Sequence, residues 1–166
     1  GAGIVGASAV SVDVGFDATT HKILDGAFHV DLTGMDVRIG DKFLPKSMVN
    51  IAHLMRDFRS GDVHPIDPAL LDVLWQVQRN LKNSNPFEII SAYRSPATNS
   101  MLRHRSANTG VAKQSMHLTG QAIDIRLPGA ALCDVRDAAL ELKRGGVGYY
   151  ASSDFVHLDT GRVRNW

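Results

Sequence analysis

Residues 115–124 read SMHLTGQAID, and residues 153–161 read SDFVHLDTG. The first stretch places His117 and Asp124 seven positions apart, and the second supplies His157 as a third side chain that can bind a metal. Two imidazoles and one carboxylate suit a catalytic zinc site, because three protein ligands leave the fourth tetrahedral position open to water. The two stretches therefore predict a metal site at which hydrolysis can take place.

The alternation of residues along two predicted strands indicates on which strand face Asp124 and His157 lie. Residues 122–127 alternate apolar and polar positions, which turns Asp124 away from the apolar side of the predicted strand. Residues 155–159 form a second short strand, in which His157 and Asp159 share one face. Asp124 is therefore expected on the polar face of its strand, and His157 on the face that also carries Phe155 and Asp159.

Hydrophobic periodicity divides the rest of the chain into strands, helices and a loop. Further strands are predicted within residues 11–38, where glycines at 15, 26 and 34 interrupt the pattern, and at 87–93 and 145–150, the last pairing with 155–159 around a tight turn. Helices are predicted at 48–58, at 68–81 behind an Asp67 cap, from Pro96 toward Arg105 behind a Ser95 cap, and at 132–142. A polar loop at 106–115 leads to His117.

This mixture predicts an α+β protein with one domain over residues 11–166. We expect a small antiparallel sheet that carries the zinc site, with helices on its flank. Residues 1–10 are small and apolar and are predicted to be a flexible N-terminal segment, and Ala7-x-Ala9 matches a signal-cleavage pattern. The same segment also fits a linker in front of the mature domain.

Composition excludes several classes of protein. The chain has 166 residues, 44% of them hydrophobic, which is enough for one core. Its 18 basic and 17 acidic residues give a net charge of +1, so the basic footprint of a nucleic-acid binder is missing. No apolar run reaches the length of a membrane span. A single cysteine, Cys133, excludes an internal disulfide and any zinc site built on several cysteines.

The motifs also carry a family resemblance. The pattern Ser115-x-His117-x-x-Gly120-x-Ala122-x-Asp124 with the later His157 resembles the signature of zinc D-alanyl-D-alanine peptidases, a superfamily that includes VanX-type dipeptidases and the hedgehog signalling domain. More narrowly, SAYRS at 91–95, GGVGYY at 145–150 and HLDTG at 157–161 are similar to YcbK/MepK-like murein endopeptidases, over roughly residues 48–166. This resemblance implies a hedgehog/D,D-peptidase-like fold.

Carried over position by position, the resemblance assigns the metal centre. It makes His117, Asp124 and His157 the ligands of one zinc ion per chain. It makes Arg94 the cation that stabilises the oxyanion, a role that suits a permanently charged guanidinium. Ser115 matches a position that contacts substrate. From the residues alone, Arg94 could instead pair with a surface carboxylate, and the Ser115 hydroxyl could instead brace its loop.

Two carboxylates compete for the role of general base. Relatives place an acidic residue three positions before the last histidine, and Asp154-x-x-His157 matches this spacing. In a regular strand the two side chains would lie on opposite faces, so this role requires Asp154 to lie in the preceding turn. Asp159 is the alternative base, or else the partner that orients the His157 imidazole.

The resemblance implies a zinc metallopeptidase that hydrolyses peptide cross-links in bacterial peptidoglycan. The bond between two diaminopimelate residues is the expected target, as in an L,D-endopeptidase. A D,D-endopeptidase or D,D-carboxypeptidase would use the same site, and a non-catalytic, zinc-containing murein-binding module or a metal-free scaffold are the alternatives outside catalysis. The expected partners are peptidoglycan peptide stems, and we expect a monomer in the periplasm, or otherwise outside the cytoplasm, after removal of an export signal.

Overall fold

The computed structural model describes residues 45–104 and 111–166 in full, together with the backbone of four strands nearer the N-terminus. The predicted flexible segment at residues 1–10 lies outside the described residues, as do residues 105–110 in the predicted polar loop.

Seven strands form one sheet, with the order β1-β2-β5-β6-β8-β7-β9. Neighbouring strands are antiparallel except β7 and β9, which are parallel. Two further short strands pair with each other. The strands are β1 (Val12–Asp17), β2 (Lys22–Val30), β3 (Arg38–Ile39), β4 (Lys42–Phe43), β5 (Phe87–Ser91), β6 (Ala122–Arg126), β7 (Gly146–Tyr150), β8 (Phe155–Asp159) and β9 (Arg164–Asn165). The predicted α+β class is confirmed.

The helices of the described residues are α1 (Pro45–Leu54), α2 (Pro68–Asn80), α3 (Pro96–His104) and α4 (Leu132–Leu142). The caps of α2 and α3 form as predicted: Asp67 accepts a hydrogen bond from the Ala69 amide, and Ser95 accepts one from the Thr98 amide. None of these helices combines the length and apolar character needed to cross a bilayer.

Two predicted boundaries differ from the structure. Strands β1 and β2 continue through Gly15 and Gly26, and a register shift between Val14 and Phe16 accommodates the first of these glycines. Helix α1 ends at Leu54, before the predicted end at Phe58. The chain turns at Asp57, whose carboxylate accepts a hydrogen bond from the Arg59 amide, so the side chain supports a turn where the apolar pattern indicated more helix.

The two faces of the sheet differ in character. Ile123, Ile125, Val156 and Leu158 are fully buried on one face and form a single core with the apolar sides of α2 and α4. The opposite face carries a row of residues that lie directly across from one another on four strands. This site row consists of Ser91, Asp124, His157 and Gly148. The core thus fixes the strands, and the strands place the polar side chains.

A bulge in β5 completes the site row. The pairing of β5 with β6 shifts between Ile89 and Ser91, so Ser91 lies opposite Asp124. Such an irregularity re-aims a side chain next to a functional site. The buried Ser91 hydroxyl then reaches the guanidinium of Arg94, whose Nη2 lies 3.4 Å away.

Asp57 fixes the chain that follows β5. Its side chain is buried, and Oδ2 accepts a hydrogen bond of 2.8 Å from the Ser95 amide. Tyr93 donates its amide to the Met55 carbonyl at 3.0 Å. Residues 93–95, which include Arg94, are therefore held from both ends by the turn after α1.

We expect Asp57→Asn to lower the free energy of unfolding by about 2 kcal/mol near pH 7. Burial raises the pKa of this carboxyl, but the hydrogen bonds from Thr98, Ser95 and Arg59 outweigh burial and hold the pKa at about 2, against an ordinary value of 3.8. Because the folded-state pKa is depressed, this stabilisation is complete above about pH 4 and disappears as the pH falls toward 2.

Urea unfolding between pH 2 and pH 7 measures this effect. The difference between the original protein and the Asp57→Asn variant should shrink as the pH falls through that window. Asp62→Asn, at an exposed position in the same turn, is the matched control and should change little. Equal stability of the Asp57 variant and the original protein at pH 7 would contradict a stabilising role of the Asp57 carboxylate.

Candidate metal centre

The three side chains predicted to bind a metal converge on one point. His157 Nδ1 lies 2.8 Å from Asp124 Oδ1, and His117 Nε2 lies 3.2 Å from each of these two atoms. All three residues are buried. Among the described residues, they form the one cluster of three or more histidine, cysteine or acidic side chains whose arrangement could hold a metal ion.

His117 reaches the site row from a short 3-10 helix, Met116–Thr119. The Ser115 hydroxyl accepts a hydrogen bond from the His117 amide, and Gly120 ends the turn in the left-handed region with φ 66°. A side chain at Gly120 is excluded, because its Cβ would lie 2.1 Å from the Pro65 carbonyl oxygen. The ring Nδ1 lies 2.6 Å from the Ala92 carbonyl and donates to it, which leaves Nε2 free to face the cluster.

His157 uses its other ring nitrogen. Its Nε2 lies 3.2 Å from Asp159 Oδ2 and donates to that carboxylate, so Nδ1 faces His117 and Asp124. Asp159 is itself buried and accepts hydrogen bonds from the Gly146 and Gly161 amides and from Arg164. This carboxylate therefore fixes the orientation of the His157 ring, one of the two roles predicted for it.

The donor set fits a metal ion. Ligand atoms at about 2.0–2.1 Å from a tetrahedral zinc lie about 3.3 Å apart, close to the separations of 2.8–3.2 Å seen here. Burial raises the pKa of Asp124, but interactions with His117 and His157 outweigh burial and hold it well below its usual range. Burial lowers the pKa of His117 below its ordinary value, whereas for His157 the interactions with Asp124 and Asp159 outweigh burial and raise the pKa.

Arg94 lies beside the cluster. Its Nη2 is 3.4 Å from Asp124 Oδ2, and the residue is 8% exposed. Burial lowers the pKa of the guanidinium, while the charges of Asp124, Asp57 and Tyr150 oppose this effect. Its Nε is buried and has no hydrogen-bond partner among the described residues. A buried donor without an acceptor carries an energetic cost.

These groups open into one cleft. Arg94, Ser115 and the three clustered side chains line part of it, and Tyr150, Phe155, Arg164 and Trp166 line another part. Ser115 thus both caps the 3-10 helix and borders the cleft. Its predicted contact with substrate stays a prediction.

Asp154 does not join the cluster. It lies in the turn before β8 with φ 52°, as its predicted role required, but its side chain is 68% exposed and lies 3.0 Å from Arg126 Nε. Arg126 also donates to the backbone oxygen of Asp154. The pair lines a neighbouring cavity together with Glu88. The contact with Arg126, two positions after Asp124, therefore holds Asp154 near the site row. Asp154 nevertheless lies outside the cleft.

Sequence reasoning missed several residues that the structure brings to the site. Arg164 secures Asp159, Arg126 secures Asp154, and Trp166 borders the cleft. The available signal was weak, because the chain carries 18 basic residues and neither arginine belongs to a motif read from the sequence.

His117, Asp124 and His157 could hold a metal ion beside the buried Arg94, which is the arrangement expected of a metallopeptidase. The chain belongs to the family described as peptidoglycan L,D-endopeptidase MepK, whose profile matches residues 27–166.

Individual relatives agree with this assignment. The peptidoglycan L,D-endopeptidase MepK of Escherichia coli (strain K12) is 45% identical over 127 residues, which are 76% of this chain and 69% of the relative. The probable peptidoglycan L,D-endopeptidase MepK of Haemophilus influenzae is 46% identical over 125 residues, which are 75% of this chain and 66% of the relative. No solved structure matches the chain significantly.

We expect Asp159→Asn to weaken metal binding by roughly 10- to 100-fold, the usual cost of losing the partner that orients a ligating histidine. The amide is a poorer acceptor for His157 Nε2 and for Arg164, so the Nδ1 atom is less firmly directed at the cluster. Competition with a chromophoric zinc chelator measures the affinity.

Asp137→Asn is the matched control, since this exposed aspartate pairs only with its neighbour Arg136 among the described contacts. Thermal unfolding of both metal-free variants separates loss of affinity from loss of fold. An unchanged zinc affinity in a folded Asp159→Asn protein would contradict the orienting role.

Proposed function

We propose that this protein is a zinc-dependent L,D-endopeptidase that hydrolyses the peptide bond between two diaminopimelate residues in cross-linked peptidoglycan. Membership of the MepK family and the naming of its relatives as peptidoglycan L,D-endopeptidases support the substrate class. The observation that carries the proposal is the convergence of three buried donor atoms in a cleft that also holds a buried arginine.

His117 Nε2, Asp124 Oδ1 and His157 Nδ1 would hold the metal. Two nitrogens and one carboxylate oxygen suit zinc, and a three-residue set leaves a position for water or substrate. When bound, zinc lowers the pKa of a coordinated water and polarises the scissile carbonyl. The hydrogen bonds to the Ala92 carbonyl and to Asp159 keep both imidazoles in the required tautomer.

Arg94 is the proposed oxyanion donor. Its guanidinium stays charged although it is buried, and its Nε has no partner among the described residues. Arg94 also lines the cleft, where its guanidinium could donate to the oxygen that becomes negative during attack on the peptide carbonyl. Because this acceptor charge develops only during the reaction, the contact favours the transition state over the bound substrate.

Asp154 is the proposed general base. Asp159 is a poor candidate, because its side chain is fully buried and two amides, one arginine and one imidazole already donate to it. Asp154 is exposed and can accept a proton from the attacking water and pass it to the leaving amine. In this structure Asp154 contacts Arg126 outside the cleft, so the role requires its side chain to leave Arg126 and turn toward the cleft.

The substrate class supports a location outside the cytoplasm. Peptidoglycan stems are extracytoplasmic polymers, so we propose a periplasmic or equivalent location reached after removal of an export signal.

Digestion of purified murein tests the proposal directly. The zinc-loaded protein should convert diaminopimelate-cross-linked fragments into uncross-linked stems, and His157→Ala should not, since it removes one metal donor. Mass spectrometry of the fragments identifies the bond. Loss of D-alanyl cross-links instead would favour a D,D-endopeptidase, and loss of a terminal D-alanine would favour a carboxypeptidase. Binding to murein without any change in its fragments, with zinc confirmed present, would sink catalysis and support the binding-module alternative.

We expect Asp154→Asn to reduce kcat by about 10²- to 10⁴-fold with little change in zinc content, because the amide cannot take a proton. Rates on soluble cross-linked stems give kcat, and metal analysis gives the zinc content. Asp137→Asn again serves as the exposed control. Full activity in the Asp154 variant would exclude this residue as the base.

A further inference from the structure

One side of the cleft is aromatic. Tyr150, Phe155 and Trp166 line it, and we call these three residues the aromatic wall. The rings of Tyr150 and Phe155 stack with centroids 4.6 Å apart, and the ring of Trp166 lies 5.4 Å from that of His157. The aromatic wall therefore adjoins the metal centre without providing any of its donor atoms.

Trp166 is fixed by contacts on both its backbone and its ring. Its amide donates to the Val147 carbonyl at 3.2 Å, and its carbonyl accepts from the Tyr149 amide at 3.0 Å, which extends the parallel pairing of β9 with β7. The indole Nε1 donates to the Tyr150 hydroxyl at 2.8 Å. The Arg164 guanidinium lies over the ring at 5.0 Å. The side chain thus has one defined position.

Gly148 provides the space for the indole. It lies opposite His157 in the site row, and a Cβ built on it would lie 2.8–2.9 Å from three atoms of the Trp166 ring. Any larger residue at position 148 would displace the ring. The indole therefore covers the end of the site row, where the other strands carry Ser91, Asp124 and His157.

Trp166 is 49% exposed and lies at the edge of the cleft. A rigid aromatic surface that faces solvent beside a reactive centre can bind a ligand with little loss of side-chain entropy. The cleft lining also includes the polar side chains of Arg94, Gln114 and Ser115, together with Val111, Ala112 and Met116. A ligand that complements the aromatic wall and these polar side chains needs an aliphatic chain next to charged or hydrogen-bonding groups.

We propose that the aromatic wall is the subsite for the methylene chain of a diaminopimelate residue next to the cleaved bond, with Trp166 as the principal contact. This inference rests on the proposed function. Diaminopimelate joins two amino-acid centres by a methylene chain, so it can lie along the indole while its polar ends reach the polar side chains of the cleft. Alanine, which has only a methyl group, would leave the indole uncovered.

Intrinsic fluorescence tests binding without requiring turnover. The chain has two tryptophans, and Trp75 lies exposed on α2, away from the cleft, beneath Arg79. In a Trp75→Phe background, the zinc-loaded protein reports on Trp166 alone. Titration with the uncross-linked stem tripeptide that ends in meso-diaminopimelate should change the emission in a saturable way. The same stem ending in alanine should produce no saturable change, and an equal response to both stems would overturn the proposal.

Kinetics provide the second test. Trp166→Ala should raise KM for soluble diaminopimelate-cross-linked stems by roughly 3- to 10-fold, the loss expected for one aromatic contact, with kcat and zinc affinity kept. Trp166→Phe should recover part of the loss, and Trp75→Ala should match the original protein. A fall in kcat and zinc affinity at constant KM would instead make Trp166 a structural support for His157.

The two proposals can fail separately. If the protein cleaves no murein bond but the diaminopimelate stem still changes the Trp166 emission selectively, the endopeptidase proposal fails and the subsite stands. If cleavage occurs and neither the emission nor KM depends on Trp166, the subsite fails and the endopeptidase proposal stands.

Discussion

A carboxylate that is removed from water needs hydrogen-bond donors inside the protein, and four groups donate to Asp159. The amides of Gly146 and Gly161, the guanidinium of Arg164 and the His157 imidazole all reach it. These contacts join β8 to the start of β7 and to the segment that forms β9. They also decide which nitrogen of His157 faces Asp124. The buried Asp159 carboxylate therefore stabilises the edge of the sheet and fixes the tautomer of His157. It also holds Arg164, whose guanidinium lies over the Trp166 ring of the aromatic wall.

Register is the second constraint. Ser91, Asp124, His157 and Gly148 face one another because three strand pairs share a single alignment. A slip of one residue in any pair would turn its polar members toward α2 and α4 and its apolar members toward the cleft. The buried Ile123, Ile125, Val156 and Leu158 make such a slip very costly. The hydrophobic core thus specifies the geometry of the site from the opposite face of the sheet.

Local sequence could predict what depends on local rules. Alternation in residues 122–127 and 155–159 was sufficient to bring Asp124 and His157 onto the polar face, and the Asp67 and Ser95 caps formed where the residue types indicated. The end of α1 was missed because the apolar pattern continues to Phe58, while the Asp57 carboxylate accepts hydrogen bonds from the Arg59 amide and, far along the chain, from the Ser95 amide. The position of Trp166 could not be predicted from local rules either. It depends on the parallel pairing of β9 with β7, and no hairpin turn in the sequence indicates such a pairing. The contact of Asp154 with Arg126 likewise depends on how two distant segments meet.

The close approach of the Trp166 ring to Gly148 links two positions that are separated in the chain. A side chain at position 148 would displace the indole, and a small residue at position 166 would leave the backbone beside His157 uncovered. Neither position can therefore change alone. Substitutions that preserve the shape of the cleft must therefore occur together. In chains of this fold, a glycine at the position equivalent to Gly148, opposite the last histidine, is what leaves room for an aromatic ring at that end of the cleft. This position can be compared even where the C-terminal segment is hard to align.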